Sequence, residues 1–252
     1  MRYFSELQLA IDYSNPTNLL FASDVKKIAG NVTKRFFVFK DIEEFEQYIQ
    51  SQAKAGYGNH FYEIIDGVQR IYLDIDIPIS DVTFPADEAI TDLIQYIKQT
   101  PPYLNTRIHT YTSHRANKLS YHIILADVFA HDQTQCKLRV QELLNDYEDK
   151  LQLKPYIDMR VYRRHQHFRL LGASKSGVDN VKVPWENTPN DLAESLISRD
   201  HHGNESAVIL DYIVTDDMDI NYYISKLPKS KSLPAKMDFD YEEYESDDEY
   251  EN

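Results

Sequence analysis

Hydrophobic and polar positions change period several times along the chain, and each change marks an element. RFFVFK (35–40) is an apolar run of strand type. DIEEFEQYIQSQAKAG (41–56) spaces its apolar residues as a helix does, with Asp41 as N-cap, Glu44 three residues on and Gly56 as the stop. HFYEII (60–65) and RIYLDIDI (70–77) read as strands flanking the turn residues Asp66 and Gly67, which predicts a hairpin. ADEAITDLIQYIKQ (86–99) predicts a helix that ends before Pro101 and Pro102. RIHTYT (107–112) and KLSYHIIL (118–125) bracket the polar SHRAN loop as a second hairpin, and DQTQCKLRVQELLNDYEDKL (132–151) is a long amphipathic helix. YIDMRVY (156–162) and HFRLLGA (167–173) predict a third strand pair around RRHQ. Strand pairs separated by helices imply an α+β (mixed α/β) fold with a largely antiparallel sheet.

Composition narrows the class. With 252 residues, 42% of them hydrophobic, the chain can bury a substantial core. No run approaches the ~18 to 20 apolar residues of a membrane span, and the opening MRYFSELQLAID carries acids where a signal peptide carries bases. The expectation is an intracellular protein with no membrane partner. Its single cysteine, Cys136, excludes an internal disulfide and any zinc site built on two or more thiolates, so no zinc is expected. The net charge of −14 misleads, because 238–252 (DFDYEEYESDDEYEN) holds nine acids and no base. By contrast Thr106 to Lys175 has twelve Lys or Arg against seven Asp or Glu, a basic patch able to receive a polyanion.

The folded body is expected over 1–225, with an N-terminal α/β part to about 69 and a catalytic part from about 70, followed by a linker and acidic tail over 226–252. The tail reads as a solvated end, as a docking arm for a basic partner, or as a mimic competing with nucleic acid for the basic patch.

Three segments carry chemistry. The period of two in RIYLDIDI puts Ile71, Leu73, Ile75 and Ile77 on one face and Tyr72, Asp74 and Asp76 on the other. The two carboxylates project side by side, ~6.5 to 7 Å apart at Cα by strand rise, a separation suited to one or two hard divalent cations. The alternative is a half-exposed strand with its acids facing water. In KLSYHIIL, Lys118, Ser120 and His122 share a face and make a row of donors suited to a triphosphate, or His122 is a satisfied structural residue. Asp158 is expected to share a face with Arg160 and Tyr162 and to supply a third metal ligand, with Arg160, Arg163, Arg164, Arg169 and Lys175 as phosphate partners. The alternative is a basic solvated hairpin.

LDID (73–76), SYH (120–122) and ID (157–158) stand in the order of the three signatures of the archaeo-eukaryotic primase superfamily, and the chain resembles that superfamily over roughly Arg35 to Lys175. The likeness is closest to its primase-polymerase branch. The resemblance implies a primase catalytic core with an RRM-like module and flanking helices. It implies that Asp74, Asp76 and Asp158 hold Mg²⁺ or Mn²⁺ as a two-metal site. Lys118, Ser120 and His122 would bind the phosphates of the incoming nucleoside triphosphate, with Arg169 and Lys175 completing that pocket, and Arg160, Arg163 and Arg164 would meet nucleic acid. Two departures stand out: Asp76 occupies a position where many members of the branch carry Glu, and a single Cys cannot build the downstream zinc module of eukaryotic members. The implied activity is primer synthesis or extension on single-stranded DNA by nucleotidyl transfer, in a viral or plasmid replication setting with a helicase and other replication proteins as partners. A metal-dependent nuclease or a non-catalytic nucleic-acid-binding subunit could use the same fold.

Overall fold

The computed structural model describes residues 1–15, 17–26, 32–147, 152–198 and 208–209, all within a compact unit that spans Met1–Asp211. The expected boundary near 225 and the acidic tail lie outside the described residues.

Two sheets form the architecture. The first contains β1 (Arg2–Phe4), β2 (Leu19–Lys26), β3 (Val32–Phe39), β4 (Phe61–Ile65) and β8 (Gln166–Arg169), antiparallel in the order β1-β3-β2-β4-β8. The second is built on the long strand β7 (Lys118–Ala130), flanked by β5 (Gln69–Pro78) and β6 (Ile108–Thr112). Beyond β6 comes the short β9 (Val183–Pro184), and β10 (Val208–Ile209) runs parallel to the end of β7. The helices are α1 (Leu7–Tyr13), α2 (Ile42–Lys54), α3 (Ala86–Gln99), α4 (Gln133–Asp146) and α5 (Leu192–Ser195). None among the described residues is long and apolar enough to cross a membrane. The α+β class and the predominance of antiparallel pairing agree with the sequence reading.

Local rules explain α2. Asp41 accepts from the Glu44 amide at 2.8 Å, the Glu44 carboxylate reaches back to the Lys40 amide at 2.8 Å, and Gly56 takes φ +81° just past the end. The helix buries Phe45 against Phe21, Phe39 and Phe61, with ring centroids 4.7 to 5.3 Å apart. On the second sheet, Leu73 pairs with Ile123, Ile75 with Tyr121 and Ile77 with Leu119. That apolar face merges with Ile90, Leu93 and Ile97 of α3 and with Cys136, Val140 and Leu143 of α4 in one buried cluster. Each such aliphatic side chain contributes about 1.5 to 3 kcal/mol by leaving water, so this sheet face is committed to packing, while the other carries Asp74 and Asp76 beside the buried Tyr72 and Ile124.

Two sequence expectations fail here. The hairpin predicted across Asp66 and Gly67 does not form: β4 pairs with β2 and β8, β5 pairs with β7, and the turn carries the chain from one sheet to the other. Gly67 does adopt φ +71°, so the local turn signal is real. Long-range pairing of two buried strands outweighs it, because a β4–β5 hairpin would displace ladders already made on both sheets. Nor is 156–162 a strand. It forms short 3₁₀ turns at Lys154–Tyr156 and Met159–Val161, joined to β5 by a single bridge between Ile157 and Ile75, while 166–169 pairs with β4 instead.

The segment after α5 ties the sheets together. Glu63 of β4 is buried and accepts from the Ile197 and Ser198 amides at 3.0 Å and from the Ser198 hydroxyl at 2.9 Å. Arg70 of β5 donates to the carbonyls of Glu194 and Leu196 at 2.8 and 2.9 Å. Burial raises the Glu63 pKa, opposed by the hydrogen bonds from Ser198 and Ile197.

Candidate active site

The polar face of β5 and β7 carries the three signatures together. Antiparallel pairing sets Asp74 opposite His122, Asp76 opposite Ser120 and Pro78 opposite Lys118. Because side chains at paired positions point the same way, the acids and the donor row meet directly. Lys118 Nζ lies 2.7 Å from Asp76 Oδ2, Ser120 donates its hydroxyl to Asp76 Oδ1 at 2.7 Å, and His122 Nε2 lies 3.3 Å from Asp74 Oδ1. That last approach lacks hydrogen-bond geometry, which leaves Asp74 Oδ1 buried and unpartnered.

Asp158 arrives by backbone rather than by strand pairing. Its amide donates to the Asp74 carbonyl at 2.8 Å, and two tyrosines clamp the segment that follows: the Tyr72 hydroxyl donates to the Val161 carbonyl at 2.8 Å, and the Tyr162 hydroxyl to the Tyr72 carbonyl at 2.6 Å. The expected common face of Asp158, Arg160 and Tyr162 is therefore corrected. A 3₁₀ turn does not alternate its side chains, so Tyr162 is buried while Arg160 is exposed. Arg160 folds back on Asp158, with Nε 3.0 Å and Nη2 3.1 Å from the carboxylate oxygens. Burial acts to raise the Asp158 pKa, but the hydrogen bonds from Arg160 outweigh it and hold the carboxyl below its ordinary value.

Behind this row the site is aromatic and buried. The Phe168 ring lies 4.8 Å from the His122 ring and 5.2 Å from that of Tyr72. Burial lowers the His122 pKa despite the opposing Asp74 carboxylate, so the imidazole is predominantly neutral near pH 7. Arg169 on β8 is buried, donates to the Asn180 carbonyl at 2.8 Å and stands within electrostatic reach of Asp74 and Asp76.

The remaining candidates lie apart from these contacts. Lys175 stands on the exposed turn after β8, where its amide donates to Asn180 Oδ1 at 3.3 Å. Arg163 donates to Gln166 Oε1 at 2.7 Å, and Arg164 approaches Asp66 at 3.7 Å, so both engage neighbours other than the acids.

Sequence reasoning passed over two residues. Arg115, in the SHRAN loop, is held by backbone hydrogen bonds with Lys118, and its position beside the donor row was the available signal. Lys182 is fully buried, donates to the Arg169 carbonyl at 2.9 Å and sits over the Phe168 ring at 4.5 Å. Nothing in its alternation with the exposed Val181 and Val183 marks it as an interior residue.

The donor chemistry suits a hard cation: three carboxylates on adjoining backbone and one orphaned buried oxygen, on Asp74. In this arrangement Lys118 and Arg160 supply the counter-charge for Asp76 and Asp158. Among the described residues, no three Asp, Glu, His or Cys side chains are gathered tightly enough to hold a metal ion together.

The family model described as the C962R protein N-terminal AEP domain matches residues 29–188. The chain belongs to this archaeo-eukaryotic primase family. The matched AEP segment contains all three signatures and the turn bearing Lys175, and its mixed α+β build is that of a primase-type core. The comparison with curated proteins yields no match.

Proposed function

We propose that this AEP domain is a DNA primase or primase-polymerase, a template-directed nucleotidyltransferase that synthesises or extends primers on single-stranded DNA. The observation that carries the reading is the register of β5 against β7, which sets the hydrogen-bond donors Lys118, Ser120 and His122 across from two strand acids, with a third acid hydrogen-bonded through its amide to the first of them. A nuclease needs the acids but has no use for that row.

Asp74, Asp76 and Asp158 would hold Mg²⁺ or Mn²⁺, which when bound supplies charge neutralisation to the transferring phosphoryl group and lowers the pKa of the attacking hydroxyl. Lys118 and Ser120 then exchange Asp76 for the nucleotide's phosphates. Arg160, with a side chain 90% exposed, is free to swing away from Asp158 when a cation takes its place. His122, neutral and backed by Phe168, donates one hydrogen bond to a phosphate oxygen without repelling the metal ions. Arg169 and Lys175 close the phosphate pocket. Arg160, Arg163 and Arg164 face the template or primer backbone, where their contribution falls with added salt. Positioning and electrostatics dominate, as in other phosphoryl transfers. A replicative helicase is the expected partner, because strand opening is a separate activity.

The test is incubation with single-stranded template, Mn²⁺ and labelled nucleotides, using wild type and Asp74→Ala. Lengthened products that vanish in the variant support the reading. Shortened template points to a nuclease, and neither product points to a binding module.

A further inference from the structure

The outer edge of the first sheet carries an aromatic and cationic surface that the proposed reaction does not use. β1 lies at the opposite end of the strand order from β8, four spacings away, or ~19 Å at the usual separation of paired strands. Its side chains alternate, Arg2 and Phe4 to one face and Tyr3 to the other. Tyr3 is 60% exposed, and its ring centroid lies 6.0 Å from that of Phe37, which in turn lies 5.9 Å from Tyr48 of α2. The Arg35 guanidinium stands over the Tyr3 ring, 5.3 Å from its centroid. The other face of the same edge repeats the arrangement, with the Arg2 guanidinium 4.8 Å over the ring of Tyr13, itself 47% exposed.

Charge around Tyr3 has one sign. From Val25 to Lys40 the chain carries Lys26, Lys27, Lys34, Arg35 and Lys40 and no acid, and the half of α2 that follows Glu46 holds one base and no acid. The only acid of β2, Asp24, is engaged on the opposite face by Lys34 at 3.3 Å and by the Tyr62 hydroxyl at 2.8 Å. Among the described residues Arg35 makes no salt bridge, and it is exposed. An exposed aromatic ring with a guanidinium on its face offers a flat surface for stacking and a partner for phosphate together. A single strand of nucleic acid presents both groups at every step, whereas an acidic peptide would match the arginine and leave the ring without a partner.

We propose that this edge, centred on Tyr3 and Arg35, is a docking surface for single-stranded DNA, remote from the acids, on which a base stacks and a phosphate pairs. Tyr3, Arg2 and Tyr13 precede residues 29–188, the segment that the AEP family model matches. The inference rests on the single-stranded substrate of the reading above and adds a contact outside the catalytic face.

The experiment is fluorescence anisotropy of labelled oligo(dT) of about 16 nucleotides with the full chain, for wild type, Tyr3→Ala, Tyr3→Phe and Arg35→Gln over a range of salt, with heparin as a polyanion that has no bases; circular dichroism verifies folding. Tyr3→Ala is expected to lose roughly five- to a hundredfold in DNA affinity with heparin affinity unchanged, and Tyr3→Phe, which keeps the ring, to bind as wild type does. Arg35→Gln is expected to weaken both ligands and to lower the salt slope for DNA by about 0.7. Folded Tyr3→Ala and Arg35→Gln variants that bind oligo(dT) as wild type does would overturn this surface and leave the polymerase reading in place, since primer extension tests that separately. Equal losses for DNA and heparin in Tyr3→Ala would overturn base stacking and with it the proposal. Wild type that binds no oligo(dT) at all would overturn both readings.

Discussion

Lys182 offers a quantitative test of the electrostatics beneath the site. Its ammonium group is wholly buried, has one hydrogen-bond acceptor, the Arg169 carbonyl, and otherwise meets the rings of Phe168 and Tyr111. Burial, opposed by Glu63 and Asp74 and aided by Arg169, brings its pKa from the ordinary 10.5 down to about 7. Between those two values the unfolded chain holds a proton that the folded chain has released, so stability rises with pH across that window. The slope is about 1.4 kcal/mol per pH unit for one proton. From pH 7.5 to 9.5 this group alone therefore adds roughly 2 to 3 kcal/mol. Lys182→Met keeps an apolar stem against Phe168 and abolishes the titration. Urea unfolding of both proteins at the two pH values, followed by the fluorescence of the single tryptophan, Trp185, isolates the effect, because groups common to both chains cancel in the difference. The wild type should gain roughly 2 to 3 kcal/mol relative to the variant on going to pH 9.5. Parallel behaviour of the two chains would show that Lys182 keeps its proton and that the site is wetter than its burial implies.

Other expectations can be checked alongside. Asp41→Ala should cost about 1 kcal/mol in equilibrium unfolding by removing the cap on the Glu44 amide, and Asp41→Asn should recover most of it. Phe45→Ala opens a void among Phe21, Phe39 and Phe61 and should cost about 3 to 5 kcal/mol; a loss below 1 kcal/mol would mean that α2 is loosely held. Asp158 has a lowered pKa, so its pairing with Arg160 stabilises the fold above the ordinary carboxylate range and is lost as pH falls through the folded value. Arg160→Ala should therefore leave neutral-pH stability within about 1 kcal/mol while moving the Asp158 titration upward by NMR; an unmoved titration would show that Arg160 does not govern it.

Much of this protein could be read from local pattern because the physics there is local. The Asp41 cap, the helix over 86–99 and the hairpin of β6 and β7 follow from periodicity and turn chemistry within a few residues, and so does the alternation that separates Asp74 and Asp76 from their isoleucine neighbours. The signatures LDID, SYH and ID also sufficed to indicate the primase family. What stayed hidden depends on partners distant in the chain. Gly67 looks like a hairpin turn and bends like one, yet which strands β4 and β5 join is decided by β2, β8 and β7. Asp158 looks like a strand residue, but a backbone bond to Asp74 and two tyrosine clamps on the following segment hold it as the N-cap of a 3₁₀ turn. Lys182 sits between exposed valines and is nonetheless buried, because Phe168, Tyr111 and the Arg169 carbonyl form a slot that exists only after both sheets have assembled. The sequence by itself determined the elements and the inventory of acids and donors. The tertiary structure alone decided their pairing, and with it which charges are neutralised and which donors remain unmade, since hydrogen bonds and desolvation act over a few ångströms of space whatever the separation along the chain.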